Sequence, residues 1–325
     1  MRLLVTGSAG HLGEALVRCA REAGHEVIGV DLLPSPTTTH VGSIVDRARV
    51  RGWLEGVEGV LHAATLHKPH VATHARQAFL DTNLSGTLGL LEEAVAAGVG
   101  RFVFTSTTSA FGRALVPPPG APATWITEEV TPVPRNIYGA TKCAAEDLCQ
   151  LVARDHGLPC LVLRTSRFFP EEDDDPAVSA AWADGNVKLN ELLYRRVDLE
   201  DVVAAHLLAL ERAPALGFGR YVISATTPFG PQDLAALRQD APALVARLFP
   251  AYPEVYARRG WRMFPTIERV YVNARARAEL GWSPRWDFAR ALECLRRGQP
   301  PHSALAAAVG AKGYHRTHSG TGESP

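Results

Sequence analysis

The chain has 325 residues, 46% hydrophobic and 21% charged, and its 34 basic residues balance 34 acidic ones. That length holds one large α/β domain with a smaller lobe, and the composition is that of an ordinary globular protein. The zero net charge offers no field for nucleic acid or an anionic membrane, and no apolar run reaches transmembrane length.

Leu3, Leu4 and Val5 read as a strand buried on both faces. Glycines follow at 7, 10 and 13, then a helix over Glu14 to Ala23 that Gly24 closes. Gly7 permits a tight turn, Gly10 lets backbone approach a pyrophosphate, and Gly13 lets helix and strand pack closely. A second strand, Glu26 to Val30, leads to Asp31, placed to grip ribose hydroxyls. The spacing of Thr6-Gly-Ser-Ala-Gly-His-Leu-Gly13 resembles the short-chain dehydrogenase/reductase superfamily. The resemblance implies a Rossmann fold, NAD as cofactor, and contacts to it from Gly7, Gly10, His11, Leu12 and Gly13. Asp31 points to NAD over NADP, because a carboxylate accepts from a 2′-hydroxyl and repels a 2′-phosphate.

Leu32 to His40 is a Pro- and Thr-rich loop. Val41-Gly-Ser-Ile-Val-Asp46 resembles the third strand and the GDxxD stretch around adenine, which implies cofactor contacts at Ser43 and Ile44. Asp46 reads equally as an adenine contact or as the N-cap of a helix over Arg47 to Leu54. Gly59 to Thr65 reads as a fourth strand whose end resembles the HxAA motif, with Ala63, Ala64 and Thr65 against the cofactor. His67, His70 and His74 flank Pro69 with no acid or thiol at helical spacing, so they read as pocket-lining or solvated side chains and no metal is expected. Phe79 to Ala97 has helical periodicity, and Asn83, Gly86 and Thr87 match an NxxGT pattern whose amide is expected to tie neighbouring strands.

A fifth strand, Arg101 to Thr105, opens the chemistry. Thr105 to Gly112 resembles the SSxxVYG segment of extended superfamily members, with Phe111 in place of Tyr. Aligned on Gly112, it puts Thr107 at the catalytic hydroxyl position, with Ser106 and Thr108 one residue away. It also implies Thr105 as a cofactor neighbour. Arg113 to Pro134 is a Pro-rich excursion expected to cover the site. Tyr138-Gly-Ala-Thr-Lys142 is a YxxxK pair. On a helix, residues four apart share a face, so the Lys142 ammonium lies by the Tyr138 phenol and favours its phenolate. The resemblance implies that Tyr138 exchanges the proton and that Lys142 also holds the nicotinamide ribose.

Ala140 to His156 reads as a long helix, which with Phe79 to Ala97 resembles the pair that forms a homodimer; an internal contact fits the residues equally. After a sixth strand, Pro159 to Arg164, Arg164 to Pro170 resembles RxSNxxGP, with Arg167 for the Asn. Arg195 to Val203 resembles RDFxYVxD in degenerate form. Together these imply substrate contacts at Thr108 and Arg167 and at Arg195 or Arg196, with Arg196 favoured. Asp198 is expected to cap a helix to Leu210, and Glu171 to Asp175 reads as a solvated acid run. Leu280-Gly-Trp-Ser-Pro284 resembles the close of extended members, and 299–325 reads as a loose tail.

The expectation is an α/β doubly wound parallel sheet over 1–165, a mainly substrate-binding lobe over 166–298, and the tail. Function is expected to be NAD-dependent epimerase/dehydratase-type hydride transfer on a sugar or nucleotide-sugar hydroxyl. Oxidation or reduction of a small non-nucleotide alcohol or carbonyl is the rival, and a non-catalytic NAD-binding regulator a further one. Cys19, Cys143, Cys149, Cys160 and Cys294 fit free thiols in a reducing cytoplasm, and the early core strand argues against a signal peptide.

Overall fold

Leu3, Leu4 and Val5 are fully buried in β1 (Arg2–Thr6), the strand from which the molecule is built outward. A computed structural model describes residues 1–168 and 176–312. In chain order its other strands are β2 (Glu26–Asp31), β3 (His40–Val41), β4 (Gly59–His62), β5 (Phe102–Thr107), β6 (Thr124–Ile126), β7 (Cys160–Thr165), β8 (Arg167–Phe168), β9 (Arg196–Val197), β10 (Phe218–Ile223) and β11 (Arg269–Tyr271). One parallel sheet runs β10-β7-β5-β4-β1-β2-β3, while β6 pairs with β11 and β8 with β9. The order reverses between β1 and β4, and such a switch point opens a crevice beyond the strand ends.

Both faces of the sheet are covered. Leu3 and Val5 join a core that includes α1 (His11–Glu22), while Leu4 joins the opposite layer with α2 (Arg47–Trp53). The long helix α5 (Ile137–His156), capped by Asn136, packs on that second layer, and α8 (Leu199–Leu216) packs beside α1. The α1 core continues without a break into the C-terminal residues Tyr256, Trp282 and Phe288. The Leu280–Pro284 stretch is docked on α8: Trp282 Nε1 donates to Asp201 O, and the Asp201 carboxylate accepts from Arg285 N and Trp286 N.

Several elements differ from their sequence expectation. The third strand is only two residues long, His40–Val41, and Asp46 caps α2 by accepting from Arg49 N. The helix expected from Phe79 to Ala97 is present and starts at Arg76, running through α3 (Arg76–Phe79), a π-helical stretch over Leu80–Gly86 and α4 (Thr87–Ala96) without a break. The Arg113–Pro134 excursion is anchored by the β6–β11 pairing and by Glu128, whose carboxylate accepts from Val222 N of the edge strand β10. Residues 299–312 are not a loose tail. Ser303 donates from backbone and hydroxyl to the buried Asp198 and caps the helix Ala304–Val309, whose Ala306 and Val309 are buried. The Glu171–Asp175 acid run and 313–325 lie outside the described residues.

One carboxylate joins α5 to the sheet. Glu146, 1% exposed, accepts from Ser106 Oγ on β5 and from Arg164 Nε and Nη2 on β7, with Arg220 Nε of β10 at 3.2 Å. Removing one partner of a buried pair leaves the other desolvated without compensation. Glu146→Ala should therefore lower unfolding free energy by roughly 3–5 kcal/mol in urea titration; a loss under about 1 kcal/mol would show that Arg164 finds other partners.

Candidate active site

At the switch point lies a cleft of about 610 Å³, running from the glycine turn and the end of β2 to the start of α5 and the β8–β9 pair. The glycine turn is shaped for close approach. Gly7 has φ +75°, and a Cβ there would lie 2.8 Å from Ala64 N; a Cβ on Gly13 would lie 1.9 Å from Gly7 O. α1 begins at Gly10 with no side-chain cap, so its amino-terminal backbone faces the cleft lined by Gly7, Gly10, His11, Leu12 and Gly13. Asp31, at the end of β2, accepts from Ala9 N and Leu33 N, each at 3.0 Å, which fixes its carboxylate at the cleft wall. Ser43 and Ile44 line the same end; Asp46, committed to capping α2, does not.

The Pro/Thr loop after Asp31 belongs to this site more closely than its composition suggests. Leu32, Leu33, Pro34 and Ser35 line the cleft, and Thr37 Oγ1 donates to Ser8 O at 2.7 Å, lacing the loop to the glycine turn. The Thr37–Thr39 run was its visible signal.

A chain of hydrogen bonds carries β4 to α5. Thr87 Oγ1 donates to Asn83 O, so it accepts from His62 Nε2; His62 Nδ1 then accepts from Thr6 Oγ1, which itself accepts from Ala64 N. Burial, with Lys142 nearby, holds the His62 imidazole down to about 3, in keeping with this neutral tautomer. The Asn83 amide accepts from Leu66 N and Thr65 Oγ1 and donates to Leu66 O and Thr141 Oγ1. It thus ties the loop after β4 to α5 rather than strand to strand. Ala63, Ala64 and Thr65 are held at the cleft by this arrangement.

Thr107, Tyr138 and Lys142 all line the cleft. Lys142, 2% exposed, donates to Thr105 O at 2.8 Å, and its ammonium lies 4.5 Å from the Phe104 ring centroid. Burial pushes its pKa down to about 7, opposed in part by Glu146 one turn along α5. Ser106, Thr107 and Thr108 all line the cleft, but the Ser106 hydroxyl is given to Glu146, while Thr107 Oγ1 accepts from Ser109 N and keeps its proton to donate. Thr105 lines the cleft, but its hydroxyl donates to His206 Nε2, since Nδ1 of that ring faces Val202 O.

On the substrate side, Thr108, Ser166, Arg167, Arg195, Arg269 and Tyr271 line the cleft. Arg196 does not. It is fully buried and ion-paired to Glu191 at 2.7 Å, and it donates to Phe168 O, so it braces the β8–β9 pair instead of facing a ligand. Arg195 is the member of the pair that reaches the cleft; it also pairs with Glu191, as does Arg167 at 3.5 Å. Arg269 and Tyr271 arrive from β11, about 130 residues after Tyr138, and no sequence pattern marked them. The histidine loop is self-bonded: His70 Nδ1 accepts from His67 N, and the His67 ring lies 6.2 Å from that of Tyr138.

The Lys142 shift fixes a stability trend. Its folded pKa lies below the unfolded value near 10.4, so folding disfavours the ammonium; the penalty is full below about pH 7 and fades as pH rises towards 10. Lys142→Met should melt above the parent protein at about pH 6, with the gap closing by about pH 10. A variant that melts lower at acid pH would show that the Thr105 and Glu146 interactions outweigh desolvation.

A model of the family described as NAD dependent epimerase/dehydratase matches residues 3–224. A UDP-glucose 4-epimerase of Streptomyces lividans is 33% identical over 168 residues, 48% of this chain and 49% of that protein. A 2-alkyl-3-oxoalkanoate reductase of Stenotrophomonas maltophilia is 31% identical over 226 residues, 65% of this chain and 66% of that protein. The matched part of the chain thus spans about half to two thirds of these two curated relatives. A crystal structure of a short-chain dehydrogenase/reductase superfamily protein from Agrobacterium tumefaciens with bound NAD is 28% identical, with a TM-score of 0.64 over 92% of this chain and 98% of that one. The doubly wound sheet, the glycine turn, the YxxxK helix and a family match over 222 consecutive residues agree, and the chain belongs to the NAD-dependent epimerase/dehydratase family.

Proposed function

We propose that this protein binds NAD in the cleft and interconverts a hydroxyl and a carbonyl on a sugar or nucleotide-sugar substrate. The observation that carries the reading is the convergence of Thr107, Tyr138 and Lys142 on the wall of the cleft that begins at the glycine turn. The site fits the cofactor: Gly7 and Gly13, where a Cβ would strike the backbone of Ala64 and of Gly7, let the turn close tightly, and α1 presents an uncapped amino terminus to a pyrophosphate. Asp31 retains acceptor capacity for ribose hydroxyls beside Leu32, Leu33 and Pro34, a wall without a cation for a 2′-phosphate.

When bound, NAD supplies the hydride acceptor and donor. Thr107 donates its hydroxyl proton to the reacting oxygen and fixes its distance. Tyr138 takes the substrate's hydroxyl proton as the carbinol carbon gives up hydride, and returns it on reduction. Lys142, held by Thr105 O, stabilises the Tyr138 phenolate. Tyr138→Phe should cut kcat by at least about 100-fold while NAD affinity by calorimetry stays within about twofold; wild-type turnover would assign the proton to another group.

A second reading, net oxidation or reduction of a non-nucleotide alcohol or carbonyl, draws on Arg167 in the place of Asn and on the reductase relative. The two part on cofactor exchange, since an epimerase returns hydride to its own substrate whereas a dehydrogenase must exchange cofactor each turnover. Acid denaturation of the purified protein should release close to one nicotinamide nucleotide per chain. A protein that is empty on purification yet steadily forms NADH from an alcohol would decide for the second reading.

A further inference from the structure

The chain leaves helix Ala304–Val309 through Gly310, at φ +66°, and brings Lys312 to the first turn of α1. The helix itself packs against α1 and α8 and is locked by Ser303 on Asp198, so this arrival is built into the fold. There Lys312 pairs with Glu14 Oε2 and also lines the cleft beside Gly10, His11 and Leu12. Glu14 is 5% exposed; its other oxygen pairs with Arg18, which does not line the cleft.

A nearly buried carboxylate in the first turn of α1 competes with any other anion for the positive end of that helix. A pyrophosphate placed there would meet Glu14 as a like charge in a poorly solvated setting, where such repulsion is strong. Of the two cations on Glu14, Lys312 is the one on the ligand's side.

We propose that Lys312 completes the pyrophosphate end of the cofactor site, as a positioning residue that neutralises Glu14 so that α1 stays receptive to the anion. The inference rests on the NAD reading above. The C-terminal segment, which carries no glycine motif or catalytic pattern, is on this account part of the cofactor-binding apparatus.

The test is calorimetric titration of NAD into the parent protein, Lys312→Ala, Glu14→Gln and the double variant. Lys312→Ala should weaken NAD binding roughly 3- to 10-fold. The loss should shrink when salt is raised from about 0.05 to about 0.5 M, as a charge effect must and a packing effect need not. The double variant should regain most of the parent's affinity, because without the Glu14 charge there is nothing to neutralise. Unchanged binding in Lys312→Ala, or a double variant as weak as that single one, would overturn the role. A parent protein that takes up no NAD in the first titration would instead overturn the cofactor reading, and this inference with it.

Discussion

The buried carboxylate of Glu146 is the constraint on which the placement of Tyr138 and Lys142 depends. It sits one turn beyond Lys142 on α5 and binds β5 through Ser106 and β7 through Arg164, with β10 adjacent through Arg220. An ion pair in a low-dielectric interior tolerates little displacement, because each lost contact exposes an uncompensated charge. The rotation of α5 is therefore set by the sheet, and with it the face that carries Tyr138 and Lys142. The same charge keeps the desolvated Lys142 from falling further below its ordinary pKa. A structural ion pair and the proposed proton-transfer pair are thus coupled by one helical turn.

A second restraint holds α5 from the opposite side. The Asn83 amide engages Thr141, which lies between Tyr138 and Lys142, and the Leu66 backbone. Asn83 lies within the π-helical turn over Leu80–Gly86. Such wide turns are rare and concentrate near functional sites, where they aim a side chain that a regular helix would direct elsewhere. Here the turn accompanies an amide satisfied on both sides, so the polar group is buried without an orphan atom.

The cleft also carries a charge bias absent from the chain as a whole. Among its described lining residues, Lys68, Arg135, Arg167, Arg195, Arg269 and Lys312 join Lys142, while Asp31 is the acidic one. Part of that charge is balanced just behind the wall, where Glu191 pairs with Arg167 and Arg195 and Glu14 pairs with Lys312. Glu191 holds Arg167, Arg195 and Arg196 together, and burial of Arg196 turns what looked like a ligand contact into scaffolding for its neighbours.

The amino-acid sequence by itself determined what is local. The glycine turn, Asp31, the HAA strand end and the YxxxK spacing are short-range patterns in which backbone geometry and side-chain chemistry are set within a few residues. They sufficed for the doubly wound sheet, and the residues they singled out at the glycine turn, at Asp31, at the end of β4 and at Tyr138 and Lys142 line one cleft. Only the tertiary structure decided what depends on distant partners. It committed the Ser106 hydroxyl to Glu146, 40 residues away. It withdrew Arg196 from the cleft and supplied Arg195 and Arg269 in its place. It turned part of the apparent tail into a docked helix, because Asp198 offered a buried carboxylate to Ser303 across 105 residues. A side chain's direction is set by the long-range contacts that bury it, and no spacing within one segment encodes those contacts.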